Sequence, residues 1–370
     1  MEEMKKYVLG EVCSRLSSGK GISSEEVFES GPFPVIGGNG LRGYAFKSNF
    51  SGECGVIGRQ GAYCGNVRFF AGDAYMTEHA VVVVGNEKAD TRYLTYLLST
   101  MHLGNLSAQS AQPGLSVKTL AKQEIMLPSL AEQKRRASIL ASLEDKIDLN
   151  NRINHNLDEQ AQTLYKSWFV DFEPFKGGKF VDSELGIIPE GWEVKNLFEV
   201  ATLFDSKRKP LSGNERSQMD KIYPYYGATS IMDYVDDYIF DGTYLLMGED
   251  GSVMTEEGFP FLQYVTGKFW PNNHAHVMQG CSGFSTEMLH CALLRKVIKS
   301  SVTGAVQAKI SQANMKKIQF AYPPRAILRA FDSILQKIYC QKRNISSQNS
   351  ALSLVRDNML PRLISGQIDC

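Results

Sequence analysis

Arg59-Gln60 lies between Gly58 and Gly61, and 190 positions later Glu249-Asp250 lies between Gly248 and Gly251. Arginine and glutamine supply donors suited to guanine and adenine edges, whereas a carboxylate accepts from cytosine. A turn that is kept while its tip changes is a way for two copies of one plan to read different sequences. The plain alternative is a tight turn carrying solvated polar residues, and the sequence leaves both open. Further cations that could meet a polyanion are Arg42, Lys47 and Arg68 before residue 130, and Lys207, Arg208, Lys209, Arg216 and Lys268 beyond residue 190. Taken one by one, most such side chains are merely solvated.

Other chemistry is set aside on context. His274-Ala275-His276 with Cys281, His290 and Cys291 has metal-ligand types, but the first copy keeps only His79, so a hydrogen-bonded structural histidine at 79 and 274 is expected and no metal. Gly38-Asn39-Gly40-Leu41-Arg42-Gly43 matches G-x-G-x-x-G, yet Pro32 and Pro34 interrupt the preceding strand and the second copy reads Ala228-Thr229-Ser230-Ile231-Met232-Asp233. A glycine-rich turn is the better reading. There is no G-x-x-x-x-G-K-[ST], and Tyr322-Pro323-Pro324-Arg325 lacks the flanking residues with which an amino-methyltransferase holds a flipped base. No serine or cysteine nucleophile with its base is visible. The expectation is a chain without catalytic residues or cofactor.

The elements that must position these residues are themselves duplicated. Phe33-Pro34-Val35-Ile36-Gly37 recurs as Tyr223-Pro224-Tyr225-Tyr226-Gly227, and Tyr44 as Tyr234. With the offset lengthened to 195, His79-Ala80 recurs as His274-Ala275, Gln112 as Gln307, Ser116 as Ser311 and Pro128 as Pro323. Each copy is large enough to be a domain plus a helix. Residues 1–130 and 190–323 read as short strands broken by Gly and Pro, with a buried-strand run at Ala80-Val81-Val82-Val83-Val84 and helix candidates at 92–103 and 285–300.

After Pro128 and Pro323 come long stretches nearly free of Gly and Pro, predicting helices over 131–170 and 324–360, with a linker at 171–189 and a tail at 361–370. Leu143, Ile147, Asn150, Asn154, Leu157, Ala161, Leu164 and Trp168 form a heptad seam; Phe331, Leu335, Ile338, Lys342, Ile345, Asn349 and Leu352 form another, with Met359 one heptad beyond. Polar residues in the middle of a seam fix register, so the helices read as coiled-coil partners. The alternative is that each helix covers its own module. About 40 residues at about 1.5 Å each make about 60 Å, longer than a small domain.

Lys+Arg and Asp+Glu are equal at 40 each, which argues against bulk attraction to nucleic acid and requires that any such surface be made by sorting charge onto faces. Seven cysteines without CxxC spacing fit reduced thiols. No apolar run approaches a membrane span, and Met1-Glu2-Glu3-Met4-Lys5-Lys6 lacks a signal-peptide core, so a cytoplasmic location and no membrane contact are expected.

The pattern resembles the specificity subunit of type I restriction-modification systems. The likeness is carried by Gln112-Pro113-Gly114-Leu115-Ser116, Leu127-Pro128-Ser129-Leu130-Ala131-Glu132-Gln133, Ser167-Trp168-Phe169-Val170-Asp171-Phe172-Glu173-Pro174-Phe175, Ile188-Pro189-Glu190-Gly191-Trp192, and Met359-Leu360-Pro361-Arg362-Leu363-Ile364-Ser365-Gly366. The resemblance implies an α+β fold: two β-rich target-recognition domains separated by two long helices paired antiparallel as a coiled coil, with a pseudo-twofold internal repeat. It implies a non-catalytic subunit that binds double-stranded DNA and joins methyltransferase subunits, two of them, and motor-nuclease subunits for cleavage. Each domain would read half of a bipartite target, with the helices setting the gap. The runner-up expectations are a self-sufficient restriction-modification enzyme and a protein–protein scaffold of duplicated modules. The second copy departs from the pattern, with Ala308-Lys309 for Pro113-Gly114 and Ile327-Leu328 for Glu132-Gln133, so the second helix start should dock its partner less faithfully.

Overall fold

The run Ala80 to Val84 forms a strand, as its β-branched side chains require, and it lies second in a six-stranded sheet. The computed structural model describes residues 4–107, 114–304 and 307–368. Its first module contains β1 (Lys5–Val8), β2 (Cys13–Ser18), β3 (Phe33–Gly37), β4 (Gly40–Ala45), β5 (Phe50–Gly58), β6 (Val67–Met76), β7 (Ala80–Gly85), α1 (Thr91–Thr100), α2 (Val117–Ala121) and β8 (Glu124–Leu127). The long helix α3 (Leu130–Phe169) follows, then a hairpin of β9 (Phe180–Ser183) and β10 (Gly186–Pro189). The second module contains β11 (Glu193–Asn196), α4 (Leu197–Val200), β12 (Ala201–Leu203), α5 (Gly213–Ser217), β13 (Tyr223–Tyr226), β14 (Ile231–Val235), β15 (Phe240–Gly248), β16 (Leu262–Pro271), β17 (Ala275–Gly280), α6 (Thr286–Leu293), α7 (Gln312–Met315) and β18 (Gln319–Tyr322), and α8 (Arg325–Ser365) follows it.

The duplication read from the sequence is a duplication of topology. The first sheet runs β2-β7-β5-β6-β3-β4 and the second β12-β17-β15-β16-β13-β14. In each, the strand pair β3/β6 or β13/β16 is parallel and the others are antiparallel. A two-stranded ladder, β1 with β8 or β11 with β18, accompanies each sheet. The repeated serines also acquire a role: Ser116 caps α2 by accepting from the Thr119 N–H at 3.0 Å, and Ser311 caps α7 by accepting from the Asn314 N–H at 3.3 Å.

Both central hairpins bend at a facing pair of glycines. Gly52 pairs with Gly72, with φ of 113° and 126°, and Gly242 pairs with Gly267, with φ of 136° and 85°. Residues with a Cβ rarely adopt such angles, so glycine at these four positions lets two long strands turn together without breaking their ladder.

The chain divides into two compact units, Met1–Asn150 with Ser347–Cys370, and Asn151–Ser346. Each therefore contains one module and half of both long helices. In the first unit, Ala137 and Leu140 of α3 join Leu363 and Ile364 of α8 in a core with Tyr93, Leu94 and Leu98 of α1. Arg136 donates to the Leu363 carbonyl at 2.9 Å, and Asn150 to Asn349 Oδ1 at 2.8 Å. In the second, Ala161, Tyr165 and Phe169 of α3 meet Phe331, Leu335 and Tyr339 of α8, with the Phe169 and Phe331 rings 4.7 Å apart. Asn154 donates to Ser346 Oγ at 3.3 Å and Lys342 pairs with Asp158. Numbers rise on one helix as they fall on the other, so each half-seam is antiparallel. The helix ends also cover the modules, so the seam and the covering role coexist.

Four boundaries differ from the sequence-based ones, the first being the helix expected over 92–103, which ends at Thr100. The second long helix does not stop at 360: it continues through Pro361 to Ser365 because Leu363 and Ile364 are buried and their carbonyls accept from Arg136 and from the Tyr93 hydroxyl, the latter at 3.0 Å. Those contacts offset the backbone bond that an internal proline removes. Residues 171–189 are not bare linker, since they form the β9–β10 hairpin and place Phe172 and Phe175 against Trp192 at 5.3 and 5.1 Å. The helix expected over 285–300 ends at Leu293 because the Ile298 N–H is drawn to the Gly258 carbonyl at 2.8 Å.

Candidate nucleic-acid interface

In the first module the β3–β4 turn wedges against the glycine turn that ends β5. A Cβ on Gly38 would lie 2.7 Å from the His79 carbonyl oxygen and 3.2 Å from the Gly58 Cα, so both positions need glycine for this approach. The Arg59 N–H donates to the His79 carbonyl at 3.0 Å, and the Arg59 carbonyl accepts from the Leu115 N–H at 2.8 Å. Gln60 bridges to Gly114. Gln112 and Pro113 lie outside the described residues.

Side chains gather on this frame. Arg68 donates to the Asn39 carbonyl at 2.6 Å, and Arg42 lies along Gly37. Arg42, Gln60 and Arg68 are exposed and Arg59 is half-buried, so the structure brings four of the five expected residues around two abutting turns. Apolar Leu41 and Tyr63 stand out beside them, 58% and 52% exposed. Lys47 lies apart, ion-paired with Glu26 and over the Tyr75 ring at 5.5 Å. That pairing holds the Glu26 carboxyl below the usual carboxylate range.

The same frame recurs in the second module: the Glu249 N–H donates to the His274 carbonyl at 2.8 Å, and its carbonyl accepts from the Ile310 N–H at 2.9 Å. The repeated histidine thus serves the turn through its backbone carbonyl. Its ring differs between copies, meeting Glu78 from His79 and Asp250 from His274.

Glu249 itself points into the protein. Arg208 Nη1 donates to Glu249 Oε2 at 2.7 Å and to the Ala275 carbonyl at 2.7 Å, and its guanidinium lies 3.6 Å from Asp205. His276, whose side chain is 2% exposed, directs Nδ1 to Asp205 Oδ2 at 2.6 Å and Nε2 to the Ile310 carbonyl at 2.9 Å. Burial raises the Asp205 carboxyl, but hydrogen bonds from His276, the Val277 N–H and Gln312 outweigh it and leave the carboxyl below its ordinary range. Asp205, Glu249 and His276 have metal-ligand types and proximity. Yet a carbonyl can only accept, so Nε2 carries a proton, and Nδ1 faces an ionised carboxylate. Both ring nitrogens are thus engaged by protein groups, and Arg208 brings positive charge to Asp205 and Glu249.

Arg208 and Glu249, expected from sequence to meet bases, are therefore held by one another inside the module, where they fix the turn. Lys207 and Lys209 flank them and are exposed. Arg216 lies over the Tyr225 ring at 4.9 Å and near Asp233 at 3.8 Å, and Lys268 lies over Tyr238 at 4.5 Å. These two are stacked on the module's own aromatic side chains and are not brought against the 248–251 turn by any contact. Exposed Ile231 and Met232, 42% and 55%, occupy the β13–β14 hairpin where Leu41 and Arg42 stand in the first module. Sequence reading missed Asp205, Gln312 and these apolar tips. Asp205 had a signal in its place just before the basic run 207–209; the tips had one in the repeat alignment.

His290 and Cys291 are far from this network in role: both meet the Tyr339 hydroxyl, at 2.7 and 3.4 Å, in the buried contact between α6 and α8. Burial lowers the His290 imidazole to about 3 and raises the Cys291 thiol to about 12, so each is neutral and structural.

The type I restriction modification DNA specificity domain matches residues 1–159 and again 189–346, once over each repeat. The chain belongs to that family. It is similar to the MjaIX type I specificity subunit of Methanocaldococcus jannaschii, 27% identical over 306 residues that cover 77% of this chain and 71% of the relative. The EcoprrI specificity subunit of Escherichia coli is 40% identical over 156 residues, 41% of this chain and 38% of that one. A crystal structure of the type I S subunit from M. genitalium shares the fold, with a TM-score of 0.62 at 16% identity, covering 98% of this chain and 96% of that one. The chain is thus a specificity subunit, non-catalytic, with its duplicated modules serving DNA target recognition. Among its described residues no helix is long and apolar enough to cross a membrane.

Proposed function

We propose that each module of this specificity subunit reads one half of a bipartite DNA target and that the paired helices fix the gap between the halves. The observation that carries this reading is the repetition of one sheet topology with one turn frame, Gly58–Gly61 and Gly248–Gly251, whose tip residues differ between copies, half-buried Arg59 with exposed Gln60 in one and inward Glu249 with part-buried Asp250 in the other. A shared frame places side chains equivalently, and different side chains make different contacts to base edges. In the first module Arg42, Arg59, Gln60 and Arg68 face the duplex; in the second Lys207, Lys209, Asp250, Arg216 and Lys268 do, while Lys47, Arg208 and Glu249 support them.

Two methyltransferase subunits dock on the helices, each against an equivalent half of the repeat, and motor-nuclease subunits join for cleavage, the whole acting in the cytoplasm. The test is methylation mapping with the assembled methyltransferase. Exchange of residues 1–128 for another module should change one half-site and leave the other, and a heptad inserted in both helices should lengthen the gap alone. Both half-sites changing together, or a gap that ignores the insertion, would refute the reading.

A further inference from the structure

We propose that Arg92 and Glu287 are positioning residues that assign each recognition module to its own stretch of helix by opposite charge. They occupy the same place in the two copies, 195 positions apart, on the helix that each module lays against the long helices. In the first unit the module presents the cation: Arg92 Nη2 lies 3.2 Å from Asp145 and 3.4 Å from Glu144 of α3, with its guanidinium 4.7 Å from the Phe69 ring. The Tyr96 hydroxyl donates to the same Glu144 carboxylate at 2.5 Å. Arg356 of α8 is paired with Asp357 at 2.9 Å rather than with this acidic set.

In the second unit the polarity is reversed. Glu287 is the module's charge, and it accepts from Arg343 of α8 at 3.1 Å, from Gln336 at 2.8 Å and from the Tyr264 hydroxyl at 2.7 Å. Tyr264 takes the position of Phe69, and its hydroxyl also accepts from Arg343 at 2.7 Å. The Glu287 side chain is 8% exposed and that of Arg92 23%, so neither charge can be left facing its like without loss. A first module carried to the second position would set Arg92 against Arg343. A second module carried to the first would set Glu287 against Glu144 and Asp145. Each combination is repelled where the native one is paired, which is how an otherwise symmetric repeat keeps its two modules in order.

The assignment rests on the two-module reading above only for its consequence in DNA; the pairing is tested without DNA. Hydrogen exchange of the α6 amides is measured in the full chain with its methyltransferase for Glu287→Arg, Arg343→Glu and the double reversal. Each single change should speed α6 exchange about tenfold or more and the double should return it to within about threefold of the parent, the non-additivity of a coupled pair. Additive effects would overturn the proposal. Should a reversal fail to fold, Glu287→Gln, Arg343→Gln and their combination give the same cycle with the same two outcomes.

A chain with residues 1–128 in place of 190–323 completes the test. Its second copy of α1 should exchange rapidly and be protected again by R92E in that copy alone. Protection equal to that of the native position without R92E would overturn the assignment. If exchange behaves as expected but methylation mapping shows no dependence on which module is present, the bipartite reading fails and the charge assignment stands.

Discussion

Asn150 Nδ2 donates to Asn349 Oδ1 across 2.8 Å, an amide pair in the seam with Asn150 1% exposed. Asparagine here costs apolar burial and returns register, because an amide satisfied by one partner is unsatisfied after a slip. Replacing both residues by leucine should leave thermal stability unchanged or raise it by about 1–2 kcal/mol. The same variant should modify targets with more than one gap length. Methylation of a target library with graded gaps checks this, and a single unchanged gap would show that register is set elsewhere.

Glu132 ties down the start of α3. It accepts from Arg135 at 2.8 Å and from buried Arg136 at 2.6 Å, and these donors, Arg135 first, lower its carboxyl to about 2. A carboxyl depressed on folding contributes stability that is full above its unfolded value near 4.3 and lost as pH falls through the folded one. Glu132→Gln should therefore destabilise at pH 7, and the gap between variant and parent should close between about pH 4 and pH 2. Urea denaturation across that range is the measurement; a gap that widens on acidification contradicts the assignment.

Gly267→Ala should destabilise the second unit by about 1–2 kcal/mol through backbone strain alone. Its φ is 85° and no atom lies within 4 Å of the Cβ site, so nothing steric contributes. Gly177 has equal space without the positive φ, and Gly177→Ala should be neutral within about 0.5 kcal/mol. Chemical denaturation of the pair separates strain from crowding.

Arg42→Ala and Arg68→Ala should each weaken modification, with sequence relaxed at one half-site for a base contact or uniform loss and a shallower salt dependence for a phosphate contact. Arg68 also holds the Asn39 carbonyl, so its loss should disturb the turn, whereas Arg42 makes no such bond. Modification rates over a target library at two salt concentrations distinguish these outcomes. Unchanged rates for both would move the reading surface away from these turns.

Duplication, seam and helix starts were legible because each is a periodic or repeated signal in residue type. The glycine turns were legible as frames, and the repeated histidine as structural. What stayed hidden depends on side chains converging from distant elements. Glu249 reads as an exposed acid until Arg208 and His276 are brought beside it. Gln133 reads as part of a motif until its amide is found donating to the Lys88 and Pro128 carbonyls and accepting from the Asp90 N–H, each bond 2.9–3.0 Å. In the second copy Leu328 fills that place buried, and the Tyr322 hydroxyl donates to the Ser282 carbonyl instead. The polar staple was moved rather than lost, which no alignment of residue types reveals. The kink glycines 52, 72, 242 and 267 did leave a trace in the repeat, Gly52 and Gly242 at the offset of 190 and Gly72 and Gly267 at the offset of 195.

Tyr93 hydrogen-bonds a carbonyl 271 residues further along the chain, and Leu363 and Ile364 lie in the core of the module synthesised first. During translation that module waits with an open apolar side until residue 364 has left the ribosome, while the later module already has both of its helix segments. Premature stops near residue 355 should thus injure the front of the protein and spare its middle, and any holding factor that recognises nascent hydrophobic surface would find its client in the first half.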